Sequence, residues 1–202
     1  MIGAPILEIA VVVLGLLVLL VEAFSEQMDK RAIAQIGMVG LSAVLIATFF
    51  LAPSQPAAPN GFWSFYTADS LAIFFKRFGL VTTILVLIMM IDYAPVVRQT
   101  VHGATAQAGL GEFFALPVFT CAGLMWMASA IDFVMIFVSL EVVTMSFYAL
   151  VAFTRRNPVT LEAGVKYLIL SAISTGFLVY GITWIFGATG ETNLMRIGVV
   201  LR

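Results

Sequence analysis

Charge is scarce in this sequence. Lysine, arginine, aspartate and glutamate together supply 10% of its 202 residues, against roughly a quarter in soluble domains. The formal net charge is −1, which leaves no basic surface for nucleic acid. Cysteine occurs once, at Cys121. One cysteine excludes an internal disulfide and any cysteine-ligated cluster or zinc site built from this sequence alone, and Cys121 reads as a small packing residue within a helix. Histidine also occurs once, at His102, in a polar stretch where a solvated side chain is the ordinary reading. Phosphate-binding glycine loops, nucleotide fingerprints and Ser–His–Asp or Cys–His sets are all missing. Hydride and electron chemistry are therefore not expected of this chain by itself. No basic region precedes the first apolar run, which is already of full membrane length, so a cleaved signal peptide is not expected.

What the sequence does have is apolar length. Hydrophobic residues make up 62% and the mean hydropathy is +1.09, which predicts an all-α integral membrane protein. Six transmembrane helices are expected, at about 5–24, 33–52, 71–93, 112–129, 133–153 and 161–186. The connection APSQPAAPNG at 52–61 reads as an extended loop, since proline does not continue a helix. Phe62, Trp63, Phe65 and Tyr66 follow it, and tryptophan and tyrosine favour the membrane–water boundary. Asp69 or Ser70 is a candidate N-cap for the third span, and Asp132 for the fifth. The stretch 95–111 reads as a polar loop, and Pro158 suits the first turn of the sixth span. Lysines and arginines gather after spans one, three and five, at Lys30, Arg31, Arg98, Arg155 and Arg156. That bias puts the N-terminus on the non-cytoplasmic side, although Arg196 and Arg202 in the tail run against it.

Two ionisable residues stand inside the oily runs of the second half. Glu141 is the only acid or base between Phe133 and Phe153, near the middle of a 21-residue stretch. A charged side chain at that depth costs roughly 2.5–3.5 kcal/mol on insertion scales, so a functional role is expected. Thr144 and Tyr148 share its helix face and offer hydroxyls to the carboxylate. Desolvation favours the neutral carboxyl and a nearby cation favours the charged one, and a group balanced between them can load and release a proton near neutral pH. Lys166, in the next run, has two candidate partners. One is Glu141 across the helix interface; the other is Glu162, four residues earlier on the same helix. Lys76 and Arg77 lie one to two turns inside the third span. Snorkelling to the headgroups is the simpler reading for both, and membership of a charged relay is the alternative.

The segment GEFFALPVFTCAGLMWMASAIDFVMIFVSLEVVTMSFYALVAFTRRNPVTLEAGVKYLILSAIST at 111–175 resembles the antiporter-like subunits of energy-converting NADH dehydrogenases, most closely the N-type subunit of complex I. The matching pieces are the helix-opening EF, MASA before Asp132, Leu140-Glu141 and EAGVKYLILSA. Around Thr189–Leu194 the tail fits as well, as do VEAF at 21–24 and DSLAIFFK at 69–76.

The resemblance implies the N-terminal portion of that subunit fold. Residues 1–110 would supply three leading helices, 111–187 the first three helices of the first repeat, and 188–202 a polar tail or the start of a further connection. It also implies a proton-translocating membrane-arm subunit of NADH–quinone oxidoreductase in a bacterial inner (plasma) membrane. On the family pattern Glu141 and Lys166 fall on the acid and the base of the intramembrane relay, with Thr144, Tyr148, Glu162 and Lys76 as supporting groups. No cofactor or metal is implied in this chain; NADH, FMN, iron–sulfur clusters and quinone would reside in partner subunits. Family members have about fourteen spans built around two inverted repeats, so another chain or segment would supply the missing helices. The other expected partners are the remaining membrane-arm subunits and lipid. Two other readings are a non-conducting membrane scaffold and a subunit of a related cation/proton antiporter or membrane hydrogenase.

Overall fold

A computed structural model describes residues 5–24, 30–50, 53, 63–102, 110–154 and 157–202. Lys30, Arg31, Arg98 and His102 lie in helices, but their side chains fall outside that description, as do residues 155 and 156 altogether. The described residues form seven helices: α1 (Ile6–Phe24), α2 (Lys30–Thr48), α3 (Ser70–His102), α4 (Leu110–Ser129), α5 (Phe133–Val151), α6 (Pro158–Thr189) and α7 (Leu194–Val200). The molecule is all-helical, and five of these helices are long and apolar enough to cross a membrane, with Ala32–Thr48 of α2 a shorter apolar segment.

Helix α4 is the hub. Phe113, Phe114, Val118, Cys121, Ala122 and Met125 point from it into a core closed by Leu7 and Val11 of α1, Leu41 and Val44 of α2, and Leu80 and Leu87 of α3. Helix α5 packs along another side of α4. A methyl built on Gly123 would stand 2.8 Å from Val143 Cγ2 and 3.1 Å from the Ser139 carbonyl oxygen, a close approach of the kind that drives helix association in lipid. Gly123→Ala should therefore destabilise the bundle by about 1–3 kcal/mol, measured as the shift in thermal unfolding in detergent.

Helices α1, α3 and α5 start at one face of the bundle, and α2, α4 and α6 end there. A clasp of extended backbone joins several of those ends. Tyr66 pairs with Ala130 and Asp132 with Asn193 in isolated antiparallel bridges. The Thr67 amide donates to the Ser129 carbonyl at 2.8 Å, that of Ile131 to Phe65 at 3.0 Å, and that of Leu194 to Ile131 at 2.9 Å. Asp132 caps α5 by accepting from the Val134 amide at 2.9 Å, and its other oxygen accepts from the Thr192 hydroxyl at 2.7 Å. Asp132→Ala removes both bonds, so a loss of about 1–2 kcal/mol is expected from the cap alone, read as earlier melting and faster proteolysis near residue 192.

Several helices differ in extent from the sequence reading. Helix α3 runs through Pro95 to His102 instead of ending at Tyr93. Beyond the proline, Val97 is buried in the core, and that packing offsets the hydrogen bond the proline forfeits. Helix α2 starts earlier than position 33 and stops at Thr48 rather than running to 52. The Arg77 guanidinium closes that end, donating from Nη2 to the Thr48 carbonyl at 2.9 Å; a cation suits a helix C-terminus. Helix α6 is extended at both ends, capped by Asn157 and stopped by Gly190 in the left-handed region at φ 71°. The tail contains a further short helix, α7, capped by Asn193.

Candidate functional site

Glu141 is the ninth of the 19 residues of α5 and is half-buried. The buried residues Ser139, Val143 and Ser146 define the face of α5 turned to α4, and at 100° per residue Glu141 lies about 200° round the helix from Ser139. It therefore points away from the hub. The Thr144 hydroxyl, expected to serve the carboxylate, instead donates to the Glu141 backbone carbonyl at 3.1 Å. Such back-bonding is an ordinary use of a mid-helix threonine. No side chain among the described residues, Tyr148 included, hydrogen-bonds or ion-pairs with the Glu141 carboxylate.

Lys166 takes the nearer of its two candidate partners. Its Nζ lies 2.5 Å from Glu162 Oε1 within α6, and the two side chains are 74% and 64% exposed. Helix α6 meets α5 at Gly164, where an added methyl would press on Ala152 at 2.7 Å. Two residues on, Lys166 is turned about 200° from that contact. This rotation separates it from Glu141, so the cross-helix pair does not form. The outer face of α6, with Leu170, Ile173, Phe177, Tyr180 and Trp184, is exposed.

The opposite correction applies to Lys76. It does not snorkel. Its side chain is 1% exposed, and Nζ lies 2.6 Å from Oε1 of Glu8, also 1% exposed. The Tyr66 hydroxyl joins them, accepting from Lys76 Nζ at 2.9 Å and donating to Glu8 Oε1 at 3.0 Å. Thus Tyr66 is no boundary anchor but a buried member of a three-part polar cluster. Burial, with the Glu8 carboxylate beside it, pushes the Tyr66 phenol above its ordinary range, so the hydroxyl keeps its proton as a donor. The adjacent Arg77 turns the other way, donating to Thr48 and stacking over the Phe49 ring at 4.3 Å.

The sequence reading missed Glu8 and gave Tyr66 the wrong surroundings. One signal was available: Glu8 near the start of span one and Lys76 near the start of span three lie at matching depth if alternate helices start on one face.

A bundle of apolar helices with an acid at mid-span is compatible with an antiporter-like membrane subunit. The family model described as "NADH:quinone oxidoreductase/Mrp antiporter, TM" matches residues 130–201, and the resemblance drawn from the residues holds over nearly the whole chain. The particular likeness is to subunit N. The chain is 32% identical over 202 residues to NADH-quinone oxidoreductase subunit N 2 of Koribacter versatilis, covering 96% of this chain and 39% of that protein. It is 34% identical over 186 residues to NADH-quinone oxidoreductase subunit N of Heliobacterium modesticaldum, covering 92% and 37%. A chain in the structure of respiratory complex I from Thermus thermophilus with bound aureothin shares the fold at TM-score 0.70 and 21% identity, over 94% of this chain and 38% of that one. The fold is that of the N-terminal part of the antiporter-like subunit, in a multi-pass membrane protein. The chain spans about two-fifths of the length of those relatives.

Proposed function

We propose that this chain is a membrane-arm component of a proton-pumping NADH–quinone oxidoreductase, with Glu141 and Lys166 in its intramembrane proton relay. The observation that carries the reading is Glu141. It is an acid at mid-span of α5, inside the region matched by the family model, with no cation on it among the described residues. A carboxyl at that depth is costly to keep without a use, and it can exchange a proton with a base brought against it. In this reading further helices, on another chain or segment, cover the outward faces of α5 and α6 and bring a base to Glu141. Lys166, held by Glu162, stands on the exposed side of α6, where those helices would dock. The chain holds no redox centre of its own, and the NADH, FMN, iron–sulfur and quinone sites belong to partner subunits. The membrane is the bacterial inner membrane, with the N-terminus on its non-cytoplasmic side.

One observation favours a second reading. Glu141 and Lys166 do not meet, and Lys166 is satisfied within its own helix, as expected of a scaffold that holds neighbouring subunits without conducting. The family model's description also spans Mrp antiporters, which keeps a cation/proton antiporter in view. Glu141→Gln in the assembled membrane complex separates these readings. Lost proton pumping with assembly intact supports the relay, and unchanged pumping makes the chain a scaffold. Sodium-dependent exchange without NADH-driven quinone reduction points to the antiporter.

A further inference from the structure

The cluster of Glu8, Tyr66 and Lys76 plays no part in the relay built on Glu141 and Lys166. It lies between α1, α3 and the clasp. Glu8 is in the first turn of α1 and Lys76 in the second turn of α3, so both lie within about 10 Å of the face where those helices start. A buried ion pair is poor value as a fastener, because removing two charges from solvent offsets most of their attraction. Apolar side chains at both positions would hold the helices as well. An acid, a phenol and an amine bonded in one buried unit point to chemistry rather than fastening.

We propose that Glu8, Tyr66 and Lys76 form a proton-exchange site through which protons pass between the membrane face at the start of α1 and α3 and the interior of the bundle. The inference rests on the reading that the chain carries protons, and extends it to a second, separate station. The steps balance. In the resting state Glu8 is a carboxylate and Lys76 an ammonium, 2.6 Å apart. A proton arriving from the interior of the bundle adds to a Glu8 oxygen, leaving Lys76 a buried cation without its counter-charge. Such a cation is strongly disfavoured, so Lys76 releases a proton to the face and becomes a neutral amine. The Glu8 proton then moves to Lys76 directly or through the Tyr66 hydroxyl, which accepts one proton as it donates its own. That restores the ion pair, and one proton has crossed the site. Uptake and release are coupled because the intermediate is the costly state.

The groups facing the pair are few. Tyr66 bonds to both partners. From the end of α4, the buried Ser129 hydroxyl lies beside the phenol, close enough to act on it but outside full hydrogen-bond geometry. A hydroxyl so placed suits a water carrying the proton on to the face. Arg77 is committed to Thr48 of α2, and Asp69 to the Ala72 amide at the start of α3. On α4 the nearest inward titratable group is Cys121, eight residues before Ser129, or about 12 Å deeper.

Lys76→Arg is the decisive variant, because arginine keeps the positive charge and the ion pair but does not release its proton in a protein. In the native membrane complex it should lower proton pumping about a hundredfold, the low end of what a positioned proton-transfer group contributes. Wild-type pumping in Lys76→Arg overturns the proposal. Where that variant does not assemble, the neutral pair Glu8→Gln with Lys76→Met decides. Pumping at the wild-type level in the double variant overturns the proposal, and its loss with assembly intact supports it. Infrared difference spectra taken across a pH step supply an independent readout: a protonated-carboxyl band should disappear in Glu8→Gln and shift in Tyr66→Phe, and an unchanged band overturns the assignment. Glu141→Gln, run in parallel, keeps the two ideas apart. Pumping lost there but kept in Lys76→Arg sinks the exchange site and leaves the relay standing; pumping kept in both sinks the relay reading as well.

Discussion

Lys76→Met should be among the most destabilising single substitutions in the described part of the chain. It leaves the Glu8 carboxylate 1% exposed with its cation gone, and breaking a buried pair from one side costs about 3–5 kcal/mol. Tyr66 softens the loss only in part, because its single hydroxyl proton already serves Glu8. Folded complex recovered from membranes should fall, and the thermal midpoint in detergent should drop sharply. Adding Glu8→Gln to Lys76→Met should restore most of the stability, since two neutral side chains carry no uncompensated charge. If the single and double variants melt alike, the uncompensated charge is not what destabilises Lys76→Met. This experiment measures stability and is indifferent to whether protons move through the cluster.

The second large effect is on activity. Glu141→Gln preserves side-chain length and polarity, and the carboxylate makes no bond among the described residues that glutamine would break. Stability and assembly should therefore change little. A relay routed through position 141 loses its only titratable group there, and proton transfer should slow by about a hundredfold or more. Quinone reduction should fall with it to the degree that the two are tightly coupled, and an uncoupler, which only collapses the gradient, should not restore it. The initial rate of proton movement, measured in inverted vesicles, checks this. An unaltered rate would place the proton path elsewhere.

Local chemistry explains what was readable beforehand. The apolar runs, the cap at Asp132, the proline opening α6 and the i, i+4 pairing of Glu162 with Lys166 each depend on residues within a few positions of one another. Pairings between helices were not readable in the same way. Glu8 and Lys76 are 68 positions apart, and nothing in the spacing of either run says that the start of α1 meets the start of α3. Taken on its own run, Lys76 therefore reads as a long side chain that snorkels, where the structure buries it against Glu8. Pro95 misled for a related reason. Proline weakens a helix locally, but the outcome was set by Val97 finding a place in the core. Thr144 shows the limit from the other side: a shared helix face put its hydroxyl near Glu141, but its own backbone offered the better acceptor.

The clasp at the face where α3 starts also bears on how the bundle is made. Its first layer, around residues 65–67, is synthesised early, while the last, Thr192–Leu194, emerges only after α6 is complete. During insertion the Ile131 carbonyl and the Phe133 amide wait for their partners until the sixth helix has passed through the translocon. A nascent chain arrested before residue 192 should therefore present a protease-sensitive stretch at 131–133, and its sealing would mark the moment at which the six-helix unit becomes one body.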